Sequence, residues 1–142
     1  MYSLTYNVFN KIWRKNQIPH RKIIGQPAVE YPDGTKFYWW NCLEYTISKT
    51  DEKTEIIAII DNNDHKLQSF DDNPSVTYTN GTKEWHCVGL LHRYSGPAVQ
   101  YSNGDVEYWN WGKLNRLDGP AVIYGNKQYW FYRGEFVKCI IV

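Results

Sequence analysis

Residues 97–119 read PAVQYSNGDVEYWNWGKLNRLDG, and residues 74–96 read PSVTYTNGTKEWHCVGLLHRYSG. The two stretches align position for position, and Pro74, Pro97 and Pro120 open successive copies at a spacing of 23 residues. The copy from Pro120, PAVIYGNKQYWFYRGEFV, lacks one residue in its turn. Such a period is read before individual elements, because one copy cannot bury its apolar side alone and the fold follows from stacking neighbours. An earlier copy begins at Pro27 as PAVEYPDGTKFYWWNC, and His20-Arg21 precedes it as His92-Arg93 precedes Pro97, with a loop two residues longer. Trp13 stands eight residues before Arg21, just as Trp85 stands before Arg93, so the pattern starts with a half unit. The slot Leu43–Asn73 holds a diverged unit.

Each copy has a direct local reading. Ala-Val-x-Tyr is a short strand, Asn-Gly or Asp-Gly signals a type I′ hairpin, and an aromatic run such as Val106–Trp111 is the return strand. Proline at the strand start is tolerated because the first residue can spare its N–H. A second glycine, Gly89, Gly112 or Gly134, closes the return strand, and Cys42 at the same register reads as a substituted turn residue. Alternation groups Val76 with Tyr78, Val99 with Tyr101 and Val122 with Tyr124. With the return-strand aromatics Tyr38, Trp85, Tyr108 and Trp130 they make the expected repeat core, while Trp39, His86, Trp109 and Phe131 take the opposite side. Within the diverged slot, Ile56–Ile60 suits a buried strand and Lys66–Phe70 its return, with a helix over Thr50–Ile60 as the alternative. The acidic pairs Asp51-Glu52 and Asp71-Asp72 read as solvated charge or as an attraction for a basic surface. The expectation is an all-β fold in which tandem hairpins of about 23 residues form an elongated meander sheet with one diverged unit. It forms a single repeat domain over 1–142, with units near 27–42, 74–96, 97–119 and 120–137 and the diverged insert at 43–73.

Composition narrows the function. With 42% hydrophobic and 22% charged residues, the chain has the apolar surface to fold and too little net charge for disorder. Aromatics at 17% suit pleated sheets and contact surfaces. A net charge of +1 lacks the basic excess of phosphate-backbone binders, so no duplex nucleic acid is expected as partner. Cys42, Cys87 and Cys139 show no metal-ligand spacing and read as reduced thiols of a cytoplasmic protein. The longest aliphatic run, Ile56–Ile60, is too short to span a bilayer, and no membrane association is expected.

The Tyr-x-Asn-Gly turn, return-strand aromatic and closing glycine recur as Tyr78-Thr79-Asn80-Gly81, Trp85 and Gly89, and as Tyr101-Ser102-Asn103-Gly104, Tyr108 and Gly112. This pattern resembles the MORN-type repeats, whose units of similar length form hairpins stacked into an extended sheet. The stretch Leu91-His92-Arg93-Tyr94-Ser95-Gly96-Pro97-Ala98 departs from the common pattern and looks like a subtype found in phage and large-virus proteins; MORN-like repeats also occur in bacterial antitoxins. The resemblance implies binding and scaffolding, and a place in the host cytoplasm if the protein is viral.

No P-loop, GxSxG, HExxH or GxGxxG pattern is present, so no catalytic residue, metal or cofactor is expected. His20 and His92 recur before an arginine where Asn115 stands in another copy, and they read as loop residues bonding the backbone. Arg21, Arg93 and Arg116 recur without change, which suits either pairing within the fold or a basic row facing an anionic partner. Trp39, Trp40, Trp109 and Trp111 offer flat anchors for a partner, or else core. These seven residues are the expected binding positions. The leading expectation is a non-enzymatic protein that binds and blocks a partner protein, as a phage- or virus-like accessory protein or antitoxin-like inhibitor does. A nucleotide-like ligand held by rings and arginines is the second reading. A small hydrolase using His86 or His92 is the third. The apolar tail Phe136–Val142 is expected to form a last strand that covers an edge or pairs with a second copy in a homo-oligomer.

Overall fold

The computed structural model describes the whole chain, Met1–Val142. It contains strands and no helix, and most strands lie in one open antiparallel meander. Two compact units form: residues Met1–Ser48 with Ile56–Lys66, and residues Lys49–Glu55 with Leu67–Val142.

The first unit contains β1 (Tyr2–Tyr6), β2 (Lys11–Lys15), β3 (Ile18–Pro19), β4 (Val29–Glu30), β5 (Lys36–Trp40) and most of β6 (Leu43–Lys49). To these it adds the later part of β7 (Lys53–Asp61) and β8 (Asp64–Leu67) as far as Lys66. Ala28, Val29, Tyr45 and Ala58 are its buried apolar residues, and the Tyr45 hydroxyl accepts the Gly25 amide at 3.0 Å.

The second unit is the repeat array proper. Each copy opens with a hairpin: β9 (Val76–Tyr78) with β10 (Lys83–Glu84), β13 (Val99–Gln100) with β14 (Val106–Glu107), and β17 (Val122–Tyr124) with β18 (Lys127–Tyr132). The return strands of the first two copies run on into small second hairpins, β11 (His86–Cys87) with β12 (Leu90–Leu91), and β15 (Trp109–Asn110) with β16 (Lys113–Leu114). The last strand, β19 (Glu135–Ile141), pairs with β18, as expected of the apolar tail. Neighbouring copies bond through β10 with β13 and β14 with β17. Ser75, Ala98 and Ala121 have no exposed surface, so a small side chain is required at the position after each proline.

The turn chemistry corrects the sequence expectation. Tyr78 donates its amide to Thr82 and Tyr101 to Asp105, so the Asn-Gly loops have three residues, with only Gly81 and Gly104 at positive φ, both 93°. This is a type I turn closed by a left-handed glycine, rather than a type I′ pair. The extra loop residue slips the register by one: Val99 faces Glu107 where a two-residue loop would have faced it with Tyr108. A slip of one exchanges the two faces of a strand, so Val76 and Val99 share their side with Glu84 and Glu107 instead of with Trp85 and Tyr108. The type I′ pairs stand at the other end of the unit: Asn41/Cys42, Val88/Gly89, Trp111/Gly112 and Arg133/Gly134 all have positive φ at both residues.

The diverged slot contributes β6, β7 and β8 as far as Leu67, with no strand over the expected Gln68–Phe70, and the helix alternative over Thr50–Ile60 does not occur. Of Ile56–Ile60 only Ala58 is fully buried. The return strand β8 starts at Asp64, two residues earlier than expected, because Asp61 Oδ1 accepts the Asn63 and Asp64 amides and closes a tighter turn.

Candidate functional site

Two contacts recur along the array, one between a copy and the one before it and one within each copy, and they account for the repeated polar residues. The first docks a hairpin tip. Asn41 donates its amide to His20 Nδ1 at 3.1 Å, Trp111 to His92 Nδ1 at 3.2 Å and Arg133 to Asn115 Oδ1 at 2.8 Å. In the diverged slot Gln68 Oε1 does the same for Val88 at 2.8 Å, a role that no repeat position advertised. Beside these bonds, the amides of Gly89, Gly112 and Gly134 donate to the carbonyls of Leu67, Leu91 and Leu114. The histidines thus act as expected, as acceptors for backbone. Because Nδ1 accepts, the ring proton of His20 and His92 sits on Nε2, which is buried without a hydrogen-bond partner in both. Burial holds both imidazoles below their ordinary pKa, and the same cause lowers His86.

The second contact stacks a cation on the return-strand ring. The guanidinium carbon of Arg21 lies 4.1 Å from the Trp13 ring centre, that of Arg93 3.8 Å from Trp85 and that of Arg116 4.1 Å from Tyr108. The eight-residue spacing continues to Lys138, whose Nζ lies 4.7 Å from the Trp130 ring centre. Arg93 is also held in a fork by Asp72, with Nε–Oδ1 2.8 Å and Nη2–Oδ2 2.9 Å, and Arg116 Nε donates to Asp118 Oδ1 at 3.0 Å. Asp72 therefore serves the fold, and its carboxyl is held below the usual range by the Arg93 hydrogen bonds. The glycine before Pro97 and Pro120 leaves room for the guanidinium: a Cβ on Gly119 would lie 3.1 Å from Arg116 Cζ.

A buried carboxylate adds a further rung. Glu107 accepts hydrogen bonds from the hydroxyls of Tyr101 and Tyr124 and from Trp109 Nε1, while in the preceding copy Tyr78 bonds Glu84. Burial, then the Glu107 hydrogen bond, push the Tyr101 and Tyr124 hydroxyls upward in pKa.

Of the seven expected binding residues, Arg93, Arg116 and Trp109 line one recess of about 460 Å³ in the second unit. Trp111 sits on a turn tip, 48% exposed, and stacks on His92 with ring centres 4.5 Å apart. In the first unit Trp40 packs on His20 at 4.7 Å, Trp39 supplies the carbonyl that accepts the Arg21 amide, and Arg21 covers Trp13. The most exposed large side chains of the second unit are ones sequence reasoning passed over. Tyr94 and Leu117 follow Arg93 and Arg116 directly and are 86% and 82% exposed. Tyr94 meets the edge of the same His92 ring that carries Trp111. Val88 and Leu90, on the neighbouring turn, are exposed as well. Their signal in the sequence was variability: at a fixed offset from an invariant arginine the copies carry Lys22, Tyr94 and Leu117.

Comparison with known proteins finds no family, no curated protein and no solved structure that matches the chain. No helix is long and apolar enough to cross a membrane, and the three cysteines are free.

Proposed function

We propose that the chain is a non-catalytic, MORN-like binding protein whose second unit presents Tyr94, Trp111, Leu117, Val88 and Leu90 to a partner protein. The observation that carries this reading is the near-complete exposure of Tyr94 and Leu117 at equivalent positions, each beside an arginine immobilised on a ring. Large apolar side chains held in solvent on rigid turns are the anchors protein interfaces use. Strain points the same way: Val88 has φ 47° and Trp111 φ 48°, values that branched and bulky residues avoid. Within this reading the protein acts by occupying its partner's surface, as an accessory protein or antitoxin-like inhibitor would.

A nucleotide-like ligand between the recurring arginines is supported less, because Asp72 and Asp118 already engage Arg93 and Arg116. The unpaired outer edge of β19 supports a second copy of the chain as a further partner. Light scattering that stays monomeric over a wide concentration range would remove that addition.

The test is capture from a host lysate with wild-type bait beside a Tyr94→Ser, Trp111→Ser bait of equal thermal stability. The expected result is a stoichiometric protein held by the wild type and lost by the variant. Equal capture by both would place the contact elsewhere and remove this surface from the account.

A further inference from the structure

Comparison of the arginine stacks copy by copy exposes one that is electrostatically incomplete. Arg93 holds Asp72 and Arg116 holds Asp118, but Arg21 donates its Nε to the neutral Gln26 Oε1 at 2.8 Å. Gln26 stands where Gly96 and Gly119 precede their prolines, so an amide has replaced both the open space and the carboxylate. Around Arg21 lies a recess of about 500 Å³, within the size range of small-molecule pockets. Tyr2, Leu4, Trp13 and Ile23 give it apolar walls. Lys22 joins Arg21 in its lining, which contains no Asp or Glu, and neither cation forms an ion pair, while Arg14, on the other face of β2, donates Nη1 to Thr5 Oγ1 at 2.8 Å. The wall also includes His20, 1% exposed, whose Nε2–H has no partner within the fold.

We infer that this recess binds a small planar aromatic carboxylate, its ring against Tyr2, Leu4 and Ile23 and its charge toward Arg21 and Lys22. An apolar slot ringed by uncompensated cations selects this chemistry twice. A neutral arene gains burial without the ion pair, and an aromatic cation meets like charge. Guanidinium recognises carboxylate strongly because two parallel N–H groups can meet its two oxygens. The site belongs to the first unit and does not rest on the protein-binding surface of the second.

Titration of the full chain with 2-naphthoate, 2-naphthalenemethanol and 2-naphthylmethylammonium, read by calorimetry, tests the inference. Naphthoate should bind saturably and at least about tenfold more tightly than the alcohol, a difference of about 1.4 kcal/mol, with the ammonium weakest. Gln26→Glu then gives Arg21 the carboxylate its counterparts have. The side chain is nearly isosteric and keeps the acceptor oxygen, so the fold should be retained. Naphthoate affinity should fall about tenfold or more while that of the alcohol stays unchanged. Lys22→Gln, at an exposed position, should weaken naphthoate selectively in the same direction. Naphthoate binding no tighter than the alcohol, no saturation below about 1 mM, or affinities unmoved by both substitutions would each overturn the assignment.

Discussion

His20, His92 and Asn115 each accept the amide of a hairpin tip, yet only the two imidazoles can change charge between about pH 5 and 7. Burial lowers the folded-state pKa of His20, His86 and His92 below 6.5. The unfolded chain therefore takes up protons first as pH falls, so the stability these groups contribute is complete above about pH 6.5 and is lost below it. Replacing His20 and His92 by Asn should leave the unfolding temperature at pH 7 nearly unchanged and flatten its decline toward pH 5, without removing the part that His86 sustains. Thermal unfolding across that range checks this, and an unaltered decline would show that the two rings are not the titrating groups. The arginines separate in the same manner. Arg93 has a forked carboxylate and a Trp face, whereas Arg116 has one bond to a largely exposed Asp118 and a Tyr face. Arg93→Lys should cost about 1–2 kcal/mol and Arg116→Lys less than about 1, measured by denaturant titration. The eight-residue spacing of ring and arginine was legible in the sequence. Asp72 was not, because it lies in the slot where the period breaks and nothing local marks its partner.

Among the elements, the turns decided what could be read in advance. Asn-Gly between two strands announces a hairpin correctly, but the dipeptide fits both a two-residue type I′ loop and a three-residue loop closed by glycine. Only the register distinguishes them, and register depends on pairing across the whole strand. The hairpins were therefore legible and the faces were not. Cys42 was legible, because its repeat position belongs to glycine, and it has φ 67°. A side chain there carries a left-handed penalty, so Cys42→Gly should raise stability by about 1 kcal/mol, seen as a higher denaturant midpoint at unchanged slope. No gain would mean that Cys42 makes compensating contacts. Val88 has the same backbone strain at an exposed tip. Val88→Asn should stabilise the protein by a similar amount while weakening partner capture, an opposition that separates a side chain kept for contact from one kept for folding.

For the molecule as a whole, each unit is a chain of short hairpins with few fully buried apolar residues, and the contacts that repeat are polar bonds and ring stacks. The diverged slot keeps this logic at its end: Leu67, Gln68 and Asp72 provide for the following copy the carbonyl, the turn acceptor and the arginine partner. Its sequence hid the continuity, since Gln replaces His and the carboxylate sits one copy earlier than Asp118 does for Arg116. Repeat arrays gain stability from nearest-neighbour interfaces, so the docked turn tips, together with the strand pairing of β10 with β13 and β14 with β17, hold successive copies together. That leaves the residues between them free to differ, which is where the proposed binding positions lie. Hydrogen exchange at the turn tips tests this directly. The amides of Asn41, Val88, Trp111 and Arg133 would be open to water at the tip of an undocked hairpin, but here each is bonded to a side chain of the preceding segment. NMR exchange should show all four slowed by about a hundredfold or more relative to unstructured peptide, in step with the strand amides. Exchange of these four at unstructured rates while the strands remain protected would contradict the account.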